Sequence, residues 1–524
     1  MCATGILFAP HSVGAEANKR PNIVVILVDD MGFSDIGCYG SEIPTPNLDN
    51  LAANGLRFTQ FYNTGRCCPT RATLLTGQYS HKAGIGHMND DRGLPGYQGS
   101  LNDHCVTIGD VARSAGYFTA ISGKWHVGHK EKSMLPRQRG FDRFFGVPEG
   151  GGFYFQVKQG RTIMLNDDVL FSPEKPVPDG WYSSDAWTKR GLQFIDEAND
   201  AGKPFLLYLA HNAPHFPLQA TAEDIAKFRG KYMKGWWWGS QARHKKQIEL
   251  GLIDSAWKKA GRPASVPSWK NLSNEEKDRF DHMMATYAAC VHAMDRSVGD
   301  LVEGLKKRDQ FHNTLILFMS DNGGCAESGP KGKTIGDPTK PDSNWFCGES
   351  WAWMQDTPFR KYKHYNHEGG ISTPLIAHWP NGIETKGEWR RQPTHLIDIM
   401  ATVVDLSGAD YPTTHHEHDV HPLPGKSLRT VFANDSLERD ALYWEHEGNA
   451  AIRVDDWKLV RQGSKGAWEL YNLKADRTEQ NNVVADHKSR AAELEMKWLD
   501  WAGRHNVKAD GLPAKMKKKN KSQK

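Results

Sequence analysis

The sequence predicts an α/β protein: a doubly wound, mostly parallel sheet between helices, followed by a smaller α+β domain with a short antiparallel sheet. Three observations carry this reading. Four apolar runs are continuous rather than alternating, as strands buried on both faces are. Helical patterns lie between them, and strand–helix alternation is the signature of parallel units. After about residue 425 the pattern changes to short, alternating, turn-bounded segments.

The four runs are IVVILV (23–28), YFTAIS (117–122), PFLLYLA (204–210) and TLILFMS (314–320). Helical patterns fall at 47–55, 107–116 and 284–308. The stretch 221–282, which contains the triplet Trp236-Trp237-Trp238, reads as an inserted polar helical region, and 325–358, rich in Gly, Pro, Lys and Asp, as a long loop. We place the large domain at 18–425 and the small one at 426–510. In the small domain ALYWEHEG, AAIRVDDWKLVRQ and WELYNL supply the strands, and SRAAELEMKWLDWAGR forms one amphipathic helix with Leu494, Trp498 and Trp501 on its apolar face.

Composition narrows the function classes. Of 66 Lys plus Arg, six lysines lie in the last ten residues, which leaves 60 against 62 Asp plus Glu in the body. So balanced a body argues against a nucleic-acid binder, which needs a basic face to displace counterions. No apolar stretch approaches 18 residues, so no membrane-inserted span is expected. Residues 1–17 carry a short apolar run and small-x-small sites, a secretory leader without a basic start, which implies a periplasmic or secreted protein; the alternative is a structureless tail. The basic tail at 511–524 reads as a solvated end.

In an open parallel sheet the ligand site lies beyond the carboxyl ends of the strands. Asp29 and Asp30 follow the first run, Lys124 and His126 the second, His211 and His215 the third, Asp321 and Asn322 the fourth. Each alone is weak, since an acid after a strand is usually a helix cap; the convergence is the signal. Asp29, Asp30, Asp321 and Asn322 offer hard oxygen ligands, which suit Ca2+ or Mg2+ rather than zinc. With Lys124, Lys363 and Arg71 to hold an anion, this is equipment for phosphoryl or sulfuryl transfer. The nucleophile candidate is Cys67, in a C-x-P-x-R-x-x-x-x-T-G pattern (Cys67, Pro69, Arg71, Thr76, Gly77) where Pro69 starts a helix whose N-terminus favours an anion.

The string CCPTRATLLTG, together with PNIVVILVDDMGFSDIGCYG, GKWHVGH, NAPHFPLQA, SDNGG, FRKYKHYNHEGGISTPLIAHWP and WKLV, resembles the type I sulfatases of the alkaline phosphatase superfamily over about residues 20–505. The AGIGHM string and the 221–260 insertion look most like bacterial arylsulfatases. The resemblance implies an alkaline phosphatase-like sandwich and a sulfate ester, either a small molecule or a glycan, as substrate. It implies that a maturation enzyme converts Cys67 to formylglycine, held as its hydrate, and that Asp29, Asp30, Asp321 and Asn322 ligate one Ca2+ ion, with Mg2+ second to it. Arg71 would stabilise the hydrate, Lys124 and Lys363 grip the sulfate, His126 assist the hydrate, and His215 protonate the leaving oxygen. One hydroxyl of the hydrate would attack sulfur and the second would then expel sulfate, which a plain Ser or thiol cannot do.

Two other readings stay open at this stage: a phosphate or phosphonate monoester hydrolase on the same scaffold, and a non-catalytic binder of sulfated glycans that uses its tryptophans. The Trp triplet is either a sugar-stacking platform at the pocket rim or core packing. The HHEHDVH string (415–421) lies in a Pro-rich loop without metal-ligand spacing and reads as solvated. His446, Glu447 and Asn449 sit in a small-domain loop that would close over the pocket and choose the leaving group. Apart from Cys2 and Cys67, six cysteines remain, and Cys325 with Cys347 is the pair to test for a bridge.

Overall fold

The computed structural model describes residues 20–434 and 437–512; the leader-like residues 1–17 and positions 513–524 of the tail lie outside the described residues. The large unit contains β1 (Asn22–Val28), β2 (Leu56–Tyr62), β3 (Phe118–Lys124), β4 (Arg143–Val147), β5 (Ile163–Leu165), β6 (Asp168–Phe171), β7 (Phe205–Ala210) and β8 (Thr314–Ser320). A hairpin of β9 (Lys333–Ile335) and β10 (Asn344–Phe346) follows, then β11 (Ser372–His378), β12 (Glu388–Arg390) and β13 (Thr394–His395). The central sheet runs β12-β2-β11-β8-β1-β7-β3-β4-β5-β6, with β13 also on β2. Strands β8, β1, β7, β3 and β4 are mutually parallel, whereas β11 is antiparallel to both its neighbours.

The four apolar runs of the sequence are β1, β3, β7 and β8, and they are consecutive neighbours at the middle of this sheet. Every residue of each is buried, which is why they carry no polar alternation. Along β1 successive side chains enter opposite cores. Val24, Ile26 and Val28 meet the layer that includes helices Ser183–Asp200 and Asn274–Lys306; Ile23, Val25 and Leu27 meet helices Cys67–Thr76 and Ile397–Ser407. The register pairs Val28 with Ser320, and Ala210 with both Leu27 and Gly123, so the carboxyl ends of all four strands stop at one level.

Some expectations need correction. The 325–358 stretch is not a structureless loop: it holds the β9–β10 hairpin and helix Gly348–Gln355, whose Trp351 and Trp353 are buried. The long helix begins at Asn274, ten residues before the expected 284, because Ser273 and Glu276 form a capping box at its N-terminus. The 221–282 region is helical at Ala222–Ala226 and Gly235–Glu249, while 250–272 is irregular apart from one short 3-10 turn. All seven described cysteines are free, so Cys325 and Cys347 are not bridged; the Cys347 thiol turns instead to the Met283 carbonyl on the long helix, 3.8 Å away. Trp236 is buried against Trp269, Phe280 and Trp351. Trp237 and Trp238 are about half exposed. The HHEHDVH string forms a small hairpin of β14 (Thr414–His415) and β15 (His418–Asp419), largely exposed.

The chain then builds a second antiparallel sheet, β16 (Leu442–His446), β17 (Asn449–Val454), β18 (Trp457–Arg461) and β19 (Glu469–Asn472). Helix Lys488–Arg504 closes one face with Leu494, Trp498 and Trp501. A buried ionic network joins this unit to the loop before β11. Glu368 accepts from Lys458 Nζ (2.9 Å), Arg477 Nε (2.9 Å) and Tyr62 Oη (2.9 Å), and Lys458 also lies 2.9 Å from Glu479. Burial alone would raise the Glu368 pKa; Lys458 and Arg477 outweigh it and hold the carboxyl low.

Removing one partner from such a network leaves charges buried and uncompensated. Lys458→Met is expected to cost about 3 kcal/mol, read as a lower urea midpoint of tryptophan fluorescence. A loss under about 1 kcal/mol would place the network among weak surface pairs.

Candidate active site

The parallel register brings the expected residues together. Asp29 and Asp30 follow β1, Asp321 and Asn322 follow β8, Lys124 ends β3, and all are buried. The Asp30 N–H donates to Asp321 Oδ1 (3.1 Å), and Asn322 Nδ2 donates to Asp30 Oδ1 (2.7 Å). Asp30 holds φ 67 and His126 φ 63, left-handed conformations that a non-glycine residue adopts only where its surroundings enforce them. Behind His126 sits Gly150, at φ 84; a Cβ there would stand 2.3 Å from the imidazole ring. Glycine at 150 is therefore what lets the His126 ring occupy its place.

Three cations face the three carboxylates. Lys124 Nζ lies 2.5 Å from Asp29 Oδ2, Lys363 Nζ 2.8 Å from Asp30 Oδ1, and Arg71 Nη2 3.2 Å from Asp321 Oδ2 and 3.4 Å from Asp29 Oδ2. Arg71 is fixed from behind, where Nη1 donates to the Lys124 carbonyl and Tyr208 Oη. His215 Nε2 is 3.5 Å from Asp30 Oδ2, and its Nδ1 meets the Phe216 carbonyl at 2.5 Å. Burial would raise the Asp29 pKa, but Lys124, His215 and Arg71 together pull it below the usual carboxylate range. Asp321 goes the other way, raised well above it by burial and by Asp29 beside it.

Two buried acceptors in this cluster, Asp29 Oδ1 and Asn322 Oδ1, have no hydrogen-bond partner. Unsatisfied buried oxygens are costly, and these stand beside two further carboxylates. The four expected ligands, three carboxyl groups and one amide, offer oxygen only, which fits a hard divalent cation, and His215 stands with Asp29 and Asp30 within 4.8 Å.

Cys67 is the first residue of helix Cys67–Thr76, whose ten residues are all buried. Pro69 is its third residue rather than its first, a position where the missing N–H is still no loss. Sγ of Cys67 and Cys68 and a ring nitrogen of His126 lie within 4.8 Å of one another. The hydrogen bond with Cys68 lowers the Cys67 pKa most, Lys124 and His126 add to this, and together they overcome burial, so the thiol is far more acidic than usual. Burial, with Lys124, brings His126 down to about 4, which keeps it neutral at pH 7. His211 is buried with neither ring nitrogen bonded, and it does not join the cluster.

The cluster opens into a cleft of about 770 Å3 lined by Arg66, Cys67, His126, His129, Lys158, Arg161, His215, Phe216, Glu327, Phe346 and Lys363. His215, Phe216 and Phe346 stack in series, with ring centres 4.2 and 4.0 Å apart. None of Trp236, Trp237 and Trp238 lines it, so the rim-platform reading of the triplet does not hold. Sequence reasoning missed Arg66 and Glu327, which pair at 2.6 Å beside Cys67. It also missed Phe216 and Phe346. Arg66 adjoins the Cys67 motif and Phe216 adjoins His215, so position in sequence was the available signal. Glu447 and His446, at the β16–β17 turn, reach this edge through His364, whose Nδ1 is 3.1 Å from Glu447 Oε2.

The family models and the relatives at 30% identity or more point to one family. The sulfatase family model matches residues 21–409, and the model described as N-sulphoglucosamine sulphohydrolase, C-terminal, matches 359–500. An uncharacterized sulfatase of Schizosaccharomyces pombe is 33% identical over 92% of this chain and 93% of its own length. An arylsulfatase of Klebsiella aerogenes is 31% identical over 82% of this chain and 96% of its own. The crystal structure of Ps i-CgsB in complex with k-i-k-neocarrahexaose superposes with a TM-score of 0.70 at 28% identity, covering 95% of this chain and 96% of that one. The chain belongs to the sulfatase family and is a sulfuric ester hydrolase.

Proposed function

We propose that the protein hydrolyses sulfate monoesters of a carbohydrate, with Cys67 as the precursor of a formylglycine nucleophile and Asp29, Asp30, Asp321 and Asn322 as the ligands of one Ca2+ ion. The observation that carries this reading is the pair of partnerless buried oxygens, Asp29 Oδ1 and Asn322 Oδ1, within a carboxylate cluster adjoining Cys67. Formylglycine, as its hydrate, would supply one hydroxyl to attack sulfur and a second whose loss of a proton drives sulfate off the same carbon by C–O cleavage. Bound Ca2+ supplies positive charge for the nucleophile and the sulfate oxygens.

The chain's own residues do the rest. Lys124 and Lys363 flank the carboxylates from opposite sides and place two ammonium groups for sulfate oxygens. Arg71, locked by four contacts, holds a fixed positive charge beneath position 67. His126 is neutral at pH 7 and takes a proton from the group at position 67. His215 is oriented by its Nδ1 contact to the Phe216 carbonyl, leaving Nε2 to protonate the departing alcohol oxygen. The stacked His215–Phe216–Phe346 rings provide an apolar face for a sugar or aryl leaving group. A sugar target is supported by Ps i-CgsB, a 28% identical neighbour solved with a neocarrahexaose. A periplasmic or secreted location rests on the leader-like first 17 residues, and the reading requires a formylglycine-generating enzyme as a transient partner.

Protein from a host with that enzyme should yield a Cys67 peptide about 18 Da lighter than the cysteine form, as conversion of CH2SH to CHO requires. It should turn over nitrophenyl sulfate faster than nitrophenyl phosphate. An intact thiol together with no sulfate turnover would indicate a non-catalytic binder, and faster phosphate turnover would move the reading to a phosphate ester hydrolase.

Gly150→Ala tests the placement of His126. Its new methyl displaces the ring, and misplacement near 1 Å costs on the order of 100-fold in kcat. Activity is measured well below the melting midpoint, which circular dichroism fixes for each protein. Unchanged kcat would remove His126 from the chemistry.

A further inference from the structure

We propose that His87, His364, His446 and Glu447 form a transition-metal site, suited to Zn2+, at the edge of the cleft. None of these residues takes part in the oxygen cluster at the strand ends. Glu447 occupies the β16–β17 turn with φ 52, followed by Gly448 at φ 84, and this turn aims its carboxylate at the loop carrying His364. Glu447 Oε2 lies 3.1 Å from His364 Nδ1, and Oε1 lies 3.1 Å from His87 Nε2 and 3.7 Å from His446 Nε2. Ligand atoms of His364, His446 and Glu447 all fall within 4.8 Å of one another. Bonds of 2.0–2.1 Å at tetrahedral angles separate neighbouring zinc ligands by about 3.3 Å. The Glu447 oxygens stand near that spacing from His364 and His87 and somewhat beyond it from His446.

Two independent features point to a ligand here. His446 is fully buried, and neither of its ring nitrogens has a hydrogen-bond partner. Buried imidazoles are normally bonded, whereas Nε2 of this one faces the Glu447 carboxylate at 3.7 Å, beyond hydrogen-bond reach. Moreover, both outer histidines have carboxylates behind them. His87 Nδ1 is 3.5 Å from Asp90 Oδ1, and His364 Nε2 is 3.4 Å from Glu327 Oε1. A histidine that binds metal through one nitrogen characteristically gives its other N–H to a carboxylate. Three imidazoles and one carboxylate select zinc-like ions over Ca2+.

The site is coupled to the catalytic cleft through Arg66. In the structure as it stands, Arg66 Nη1 contacts both Glu327 and His364 Nε2, so that nitrogen accepts and Nδ1–H donates to Glu447. Metal on Nδ1 requires the other tautomer, in which Nε2–H turns to Glu327 and no longer accepts from Arg66, which keeps its own pair with Glu327. Occupancy of the site therefore rearranges the Arg66–Glu327–His364 contacts at the edge of the cleft.

Co2+ serves as the probe, because four-coordinate Co2+ absorbs visible light intensely and six-coordinate Co2+ in an oxygen site only weakly. Tag-free full-length protein, saturated with Ca2+, is titrated with Co2+ and then with Zn2+. One equivalent of the intense band, bleached by Zn2+ and with Co2+ affinity at least ~100-fold weaker in both His87→Ala and Glu447→Gln, is the expected result. These two side chains are partly exposed, so both variants should fold, which circular dichroism checks. Absence of the band, a weak band alone, or an intense band retained in both variants would overturn the proposal.

Discussion

Everything at the sheet edge depends on one electrostatic constraint: three carboxylates and three cations with essentially no access to water. Asp29, Asp30 and Asp321 face Lys124, Lys363 and Arg71, and each side chain is at most 1% exposed. Charges so buried are tolerated only with near-ideal geometry, since loss of one partner strands another. The parallel sheet supplies that geometry. Its register stops β1, β3, β7 and β8 at one level, so side chains nearly 300 residues apart in sequence meet within hydrogen-bond distance. The cluster stays polarised even so: Asp29 is held ionised by its neighbours, whereas Asp321 is pushed toward the protonated form. With two of its oxygens left unbonded, this donor set fits a hard divalent cation.

A second buried ionic network keeps the first in place. Lys363 and His364 lie on a loop, and a loop alone positions an ammonium group poorly. Five residues after Lys363, Glu368 is clamped by Lys458, Arg477 and Tyr62, which come from β18, from the segment after β19, and from β2. The small sheet thus braces a catalytic-face loop, and the β16–β17 turn reaches the cleft from the same unit. The family model for the C-terminal part spans both the loop and the small sheet, matching 359–500.

What was legible in the sequence follows from the same physics. β1, β3, β7 and β8 are buried on both faces, and such strands announce themselves as continuous apolar runs. β2 is not, because Arg57 and Gln60 interrupt it where its face is only partly covered. β11 carries Pro374 in mid-strand, which argues against a strand; the structure accommodates it at a register shift between Thr373 and Leu375. The residues at the strand ends were legible because the position of a ligand site follows from sheet polarity. Glu327 was not, since its meaning comes from Arg66, 261 positions earlier, approaching through a loop. Proximity in sequence makes Cys325 with Cys347 the pair to test for a bridge, but both thiols are free, with the hairpin between them and Cys347 packed on the long helix.

The two halves of the cleft are therefore under different constraints. On the sheet side nearly every polar atom is buried and interlocked, so a single substitution disturbs several partners at once. On the other side, Arg66, Glu327, His364 and Glu447 are partly exposed and linked in a chain of single contacts: 2.6 Å from Arg66 to Glu327, 3.4 Å to His364, 3.1 Å to Glu447. Each of these contacts keeps some access to water, unlike the fully buried pairs on the sheet side. A rigid, interlocked sheet edge thus stands beside a rim of partly exposed histidines and carboxylates linked by single contacts.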